Sequence, residues 1–173
     1  IYGGQIIKVT ERDENGGFLN TRIKTIKKLL DSSGDYIWTN QYANPANCLA
    51  HYTETAKEIF NEFTKLDYLF IGAGTTGTVG GCAKFFKEYS PQTRIIAVDA
   101  EGSVTFGFSS KKRYIPGLGT SRKPEITDHT NIDDIIIVPE PDTIEMCYKM
   151  LSSQALFLGG SSGSVLAGVK QYA

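Results

Sequence analysis

Two short glycine-rich segments, each set between an apolar run and a helical pattern, constrain this chain more than any other feature. The first is Gly72-Ala73-Gly74-Thr75-Thr76-Gly77-Thr78, which follows the buried run at residues 68–71. Val79, Cys82, Ala83 and Phe86 then recur at helical spacing. The second is Gly159-Gly160-Ser161-Ser162-Gly163-Ser164, which follows residues 155–158 and opens an apolar helix. Strands that turn through glycine into a helix are the repeating unit of parallel sheets. The other patterns agree with that unit. Strands are expected at residues 5–10, 36–39, 68–71, 94–100, 135–138 and 155–158. Helices are expected around Leu19–Ile23–Ile26–Leu30, around Ala56–Ile59–Phe60–Phe63, after Thr78, over 141–151 and after Ser164. Residues 40–47 form a polar loop with no periodicity, and 101–130 are mostly loop. The fold class is therefore α/β, with a mostly parallel sheet covered by helices on both faces.

Composition narrows the function. Nineteen acidic and 18 basic residues leave a net charge of -1. That gives no basic footprint for nucleic acid and no polybasic patch for a membrane surface. No apolar run reaches the roughly 18 residues of a spanning helix. Cys48, Cys82 and Cys147 are odd in number and far apart, which argues against a disulfide framework or a zinc site and fits a reducing cytoplasm. His51 and His129 lack metal-ligand spacing and read as structural, so no metal is expected. The chain starts at Ile1 without a methionine and stops at Ala173 inside an apolar helical pattern, so it is expected to be a piece of a longer protein.

The first glycine-rich segment suits a phosphate. Glycines let backbone N–H groups turn inward, the helix N-terminus supplies positive potential, and Thr75, Thr76 and Thr78 add hydroxyl donors. A second reading stays open, since Gly72, Gly74 and Gly77 also spell G-x-G-x-x-G. Asp99 ends the following strand at about the distance of a ribose-binding acid, so a dinucleotide-binding Rossmann-like module is the alternative of another class. The second segment has no basic residue and is not a Walker loop. Its serines either cap the helix or meet a ring nitrogen of a cofactor whose phosphate occupies the first segment.

Four landmarks occur in order: Gln41-Tyr42-Ala43-Asn44-Pro45-Ala46-Asn47 with His51-Tyr52 after it, the loop from Gly74 to Thr78, Pro116-Gly117-Leu118-Gly119, and Gly160-Ser161-Ser162-Gly163. On these the chain resembles the fold-type II pyridoxal-phosphate enzymes of the cysteine synthase and cystathionine β-synthase group. The resemblance implies a three-layer αβα fold like the tryptophan synthase β-subunit. It implies that residues 1–40 belong to the smaller mobile domain and 41–173 to the large cofactor domain, incomplete at its C-terminus. Pyridoxal 5′-phosphate is the implied cofactor. Gly74, Thr75, Thr76, Gly77 and Thr78 would hold its phosphate, with a threonine at 76 where the family usually has glycine. Ser161 would face the pyridine nitrogen. Gln41 would contact the substrate carboxylate, and Gly117 with Gly119 would line a closing loop. The family's Gly-Gly-Ser-x-Lys-Asp/Asn segment is not found in these 173 residues. The Schiff-base lysine is therefore expected outside them, and this chain alone is expected to be inactive. The full-length protein is expected to be a cytoplasmic homodimer that handles small amino acids, with no nucleic-acid or membrane partner.

Within the group, four stretches resemble the N-(2-amino-2-carboxyethyl)-L-glutamate synthases of siderophore biosynthesis: residues 16–23, 38–44, 99–107 and 117–122. That branch implies displacement of phosphate from O-phospho-L-serine by the amine of L-glutamate, through an aminoacrylate, on the route to 2,3-diaminopropionate. Arg22 is the candidate for the leaving phosphate because a guanidinium offers a bidentate fork, and Tyr42 for a hydroxyl near the substrate. Residues 44–52 resemble cystathionine β-synthase equally well. A sulfur nucleophile, as in cysteine synthase or cystathionine β-synthase, with O-acetylserine as the other activated serine, remains the alternative.

Overall fold

The computed structural model describes residues 3–14, 16–63 and 65–173. The chain divides into two compact units, residues 1–40 and residues 41–173.

The first unit is organised by helix α1, Leu19–Ser32. Phe18, which precedes its first residue, offers no side-chain cap. The Asp13 carboxylate does that work from outside, accepting hydrogen bonds from Gly17 N at 2.9 Å and Asn20 N at 3.0 Å. Ile23 is buried, while Lys24, Lys27 and Lys28 face solvent, which is the amphipathic pattern that the sequence periodicity implies. The strands expected at 5–10 and 36–39 are not present; both segments are coil. Ile6 is 93% exposed and Ile37 94%. β-Branched residues favour an extended backbone, but a strand exists only where a neighbour takes its N–H and C=O groups. Among the described residues of this unit there is no strand to serve as that neighbour.

The second unit contains a parallel three-stranded sheet in the order β1 (Tyr68–Gly72), β2 (Arg94–Ala100), β3 (Asp134–Val138). Register runs Tyr68 to Arg94 along the first pair and Ile96 to Asp134 along the second. Alternate residues of β2 point to opposite faces, as a pleated strand requires. Ile95 and Ala97 enter one core with Val79, Cys82, Phe85 and Phe86 of helix α4, Gly77–Tyr89. Val98 enters a second core with Val138, Met146 of helix α5 (Glu140–Gln154) and Ala167 of helix α6 (Gly160–Tyr172). The sheet thus has helices on both faces, in three αβα layers. Among the described residues no helix is long and apolar enough to cross a membrane.

Two sequence expectations in this unit need correction. The strand expected at 155–158 is coil. Ala155 takes the left-handed conformation, with φ 55°, that ends α5, and its N–H bonds back to Leu151 O. Leu156 N then bonds to Met150 O, and Phe157 is left 91% exposed with no strand beside it. The helix expected around Ala56 begins ten residues earlier. Helix α2 (Ala46–Ala50) continues through a π-helical turn, His51–Thr55, into helix α3, Ala56–Glu62.

The connection from β2 to β3 carries no helix and runs through residues 101–133. Its course is held by buried hydroxyls: Ser103 to Thr105 at 2.9 Å, and Thr105 to Thr120 at 3.0 Å. Arg113 adds donors to the carbonyls of Gly102 and Thr120. Gly119 N then bonds to Ala73 O at 2.8 Å, which brings residues 117–120 against the carboxyl end of β1. Asp133 closes the connection by accepting from Ile95 N and from Lys87 Nζ, each at 2.7 Å.

Candidate functional site

The carboxyl ends of parallel strands are where open α/β sheets bind ligands. At the end of β1 the chain leaves Gly72, and Ala73 N bonds across to Val98 O at 2.8 Å. Thr76 then adopts φ 67°, ψ 4°, and α4 starts at Gly77. A left-handed backbone costs a β-branched residue about 1–2 kcal/mol, so other contacts must hold it. The Thr76 hydroxyl donates to Thr75 O at 2.6 Å and lies 3.1 Å from Thr127 Oγ1, and the residue is buried. The N-terminus of α4 has no side-chain cap. Its first-turn N–H groups are the donors an anion would use.

Gln41, Tyr42, Gly72, Gly74, Thr75, Thr76, Gly77, Thr78, Gly117, Gly119 and Thr120 line one cleft of about 360 Å3. No lining side chain there is charged at neutral pH. An anion would be held by hydroxyls, backbone N–H groups and the α4 dipole. A second cavity of about 450 Å3 shares Gly72 and Gly117 with the first and adds Leu118, Ser161, Ser162, Val165 and Leu166. Ser161 stands at the start of α6, half-buried. A Cβ on Gly117, whose φ is 115°, would come 3.1 Å from the Ser161 Cβ. A side chain at 117 would therefore crowd Ser161 at a residue that the two cavities share. Glu140 Oε1 accepts from Tyr114 N and Ile115 N and so steadies the backbone just before Gly117. The two cavities meet at Gly72 and Gly117, and both volumes lie in the usual small-molecule range of about 300–1,000 Å3.

Two further residues back the threonines. Asn47 Nδ2 donates to Gln41 O at 2.8 Å and to Thr75 Oγ1 at 3.2 Å. His51 Nε2 lies 3.1 Å from Thr78 Oγ1, while its Nδ1 lies 3.0 Å from Thr55 Oγ1. Sequence spacing assigns Asn47 no role and treats His51 as structural. The usable signal is their separation of four, which places both on one face of the helix that follows the polar loop.

The structure brings together Gln41, Tyr42, Gly117 and all five residues from Gly74 to Thr78, with Ser161 in the adjoining cavity. Arg22 belongs to the other unit, where it is exposed and its guanidinium lies 5.8 Å from the Phe18 ring centroid. Asp99 is fully buried, outside the residues that line the cleft, with Oδ1 accepting from Ala100 N. Burial pushes its pKa up. A carboxyl in that position does not serve as a ribose ligand, which removes the physical support for the dinucleotide reading. Residues 159–163 also spell G-x-S-x-G. A nucleophile elbow needs a strained turn straight from strand to helix, whereas Ser161 lies inside α6 without positive φ. His129 stacks edge-on against Phe106 with centroids 5.2 Å apart. Burial pushes the Cys82 thiol up to about 11, so it is a packing residue rather than a nucleophile.

Comparison with known proteins agrees with this geometry. A family model described as pyridoxal-phosphate dependent enzyme matches residues 1–173. The N-(2-amino-2-carboxyethyl)-L-glutamate synthase of Cupriavidus metallidurans is 41% identical over 171 residues, covering 98% of this chain and 50% of that protein. The protein of the same name from Ralstonia nicotianae is 40% identical over 169 residues, covering 97% of this chain and 50% of its own length. Among solved structures, an O-acetylserine dependent cystathionine β-synthase from Helicobacter pylori aligns with a TM-score of 0.80 at 30% identity, over 87% of this chain and 49% of that one. The chain spans about half the length of the curated relatives it matches.

Proposed function

Since the chain belongs to the family of pyridoxal-phosphate dependent enzymes, with pyridoxal 5′-phosphate as cofactor, we propose that its full-length protein replaces the β-substituent of an activated serine. The preferred reaction joins O-phospho-L-serine and L-glutamate. The serine Cβ–O bond breaks, the glutamate nitrogen forms a bond to Cβ and loses a proton, and inorganic phosphate leaves. The product is N-(2-amino-2-carboxyethyl)-L-glutamate, a precursor for siderophore biosynthesis.

The observation that carries this reading is the two-part cleft, neutral throughout, with threonine hydroxyls at one end and Ser161 at the other. Thr75 and Thr78 would donate to the cofactor phosphate, with the α4 N-terminus behind them. The Ser161 hydroxyl would meet the ring nitrogen. A neutral partner leaves that nitrogen unprotonated, which moderates the ring as an electron sink and favours loss of a β-substituent over transamination. The bound cofactor supplies the sink for electrons released when the substrate α-proton is removed. Gln41 would orient the substrate carboxylate, Tyr42 would present a hydroxyl beside it, and Gly117 would let the 117–120 segment approach without a side chain in the way. Arg22 is the proposed clamp for the leaving phosphate. The lysine that completes the chemistry is placed by this proposal outside the present chain, and the full-length protein is proposed to act as a homodimer.

The choice of glutamate is supported by the two curated relatives, matched along nearly the whole of this chain. A sulfur nucleophile is the second reading, favoured by the 30% identity and 0.80 TM-score of the cystathionine β-synthase. The discriminating experiment offers the cofactor-loaded full-length protein O-phospho-L-serine or O-acetylserine together with equimolar glutamate, sulfide and homocysteine, and identifies products by mass spectrometry. The proposal predicts the glutamate adduct as the main product. Cysteine or cystathionine as the main product would replace it with the second reading.

A further inference from the structure

The phosphate loop is not self-supporting. A threonine hydroxyl has one proton to donate and two lone pairs to accept with, so its neighbours decide where the proton points. Behind Thr75 stands an amide that can only donate: Asn47 Nδ2, 3.2 Å from Thr75 Oγ1 and 2.8 Å from Gln41 O, has both of its protons in use. Thr75 therefore accepts from that side, and its own proton remains for another acceptor. Behind Thr78 stands an imidazole whose two nitrogens each face a threonine hydroxyl, Thr78 at 3.1 Å and Thr55 at 3.0 Å. The ring can act in either sense. With the proton on Nε2 it donates to Thr78 and accepts from Thr55; with the proton on Nδ1 it draws the Thr78 proton back toward itself. Only the first arrangement leaves the Thr78 proton for the cleft.

We infer that Asn47 and His51 are positioning residues of the phosphate site, which hold the Thr75 and Thr78 hydroxyls from behind so that both protons point into the cleft, with His51 as its Nε2–H tautomer. Geometry supports the pairing. The two residues are four apart and occupy one face of the helix that begins at Ala46. The π-helical turn starts at His51 itself, and such turns widen a helix locally and recur at functional sites. The inference deepens the phosphate reading of residues 74–78 and rests on it.

The test uses the full-length apoprotein and compares its affinity for pyridoxal 5′-phosphate with that for pyridoxal. The ratio isolates what the phosphate contributes, because the rest of the molecule is common to both. Thr75→Val and Thr78→Val are the controls for the site. Asn47→Asp, close to isosteric, turns the donor into an acceptor, and His51→Leu removes the donor. Each is expected to lower the ratio at least tenfold, while His51→Gln, which keeps a donor nitrogen, stays within about threefold of the parent. In a Thr78→Val background, His51→Leu should cause no further loss. If the two valine controls leave the ratio unchanged, the phosphate reading itself fails. If the controls lower it while Asn47→Asp and His51→Leu do not, or if His51→Gln falls as far as His51→Leu, the positioning inference alone is overturned. Should Asn47→Asp fail to fold by circular dichroism, the His51 series decides the outcome by itself.

Discussion

A Cβ on Gly77 would stand 2.1 Å from Asn47 Oδ1. A side chain on the first residue of α4 would therefore need the space taken by the amide that reaches Thr75. Alanine in a helix is ordinarily about 1 kcal/mol better than glycine. Here the sign reverses, and Gly77→Ala is expected to destabilise by about 2 kcal/mol through overpacking. The obstacle is a side chain, so Asn47→Ser in the Gly77→Ala background should return part of that loss. Chemical denaturation reads both, and a Gly77→Ala variant as stable as the parent would contradict the packing described.

Gly81 makes the complementary case one turn further along. A Cβ there would lie 2.4 Å from Cys48 O and 2.8 Å from Tyr52 N, both backbone atoms. Gly81→Ala is expected to cost at least about 2 kcal/mol, because the two helices would have to separate. No side-chain replacement nearby should restore it. Recovery in a Cys48→Ala or Tyr52→Ala background would show that the close approach is not between backbones.

The left-handed Thr76 allows a comparison of two substitutions. Thr76→Ala keeps a Cβ at φ 67° and loses the hydroxyl contacts to Thr75 O and Thr127. Thr76→Gly loses the same contacts but relieves the backbone. Glycine is therefore expected to be the more stable of the two by about 1 kcal/mol. Thermal melts that rank alanine above glycine would contradict the assigned conformation.

The Asp133 carboxyl is held below the usual carboxylate range: burial pushes it up, but the Lys87 ammonium and the Ile95 N–H outweigh that effect. A depressed folded-state pKa stabilises the fold above the unfolded value of about 3.9, and the contribution is lost as pH falls through the folded value. The pair is partly open to solvent, which limits the ionic contribution to about 1 kcal/mol. Asp133→Asn should therefore be less stable than the parent at pH 6–7. The gap should narrow as pH falls below the unfolded value of about 3.9 and close once the parent carboxyl is itself protonated. A gap that stays constant across that range would assign the loss to something other than charge.

The alternation of β1, α4, β2, β3, α5 and α6 was legible because each element carries its own period and its own glycine or proline punctuation. Residues 94–100 match β2 to the residue, since Ile95 to Val98 are buried on both faces and leave no ambiguity of register. The failures share one cause. Residues 5–10, 36–39 and 155–158 have strand composition, but pairing is a property of a neighbour and not of the segment itself. Residues 46–55 were missed differently: the loop expected through residue 47 gives way to α2 at Ala46, and a π-helical turn over His51–Thr55 joins it to α3. That Gly74 to Thr78 and Gly117 line one cleft, with Ser161 in the next, was readable from short motifs. The support from Asn47 and His51 was not, because it depends on which hydroxyls the folded helix faces.

The most direct test of the central claim is a crystal structure of the full-length protein with pyridoxal 5′-phosphate. Phosphate oxygens are expected within roughly 2.6–3.2 Å of the Thr75 and Thr78 hydroxyls and of first-turn N–H groups of α4, with the pyridine nitrogen facing Ser161 Oγ. A phosphate bound away from residues 74–78, or a ring nitrogen met by a charged side chain instead of Ser161, would contradict it.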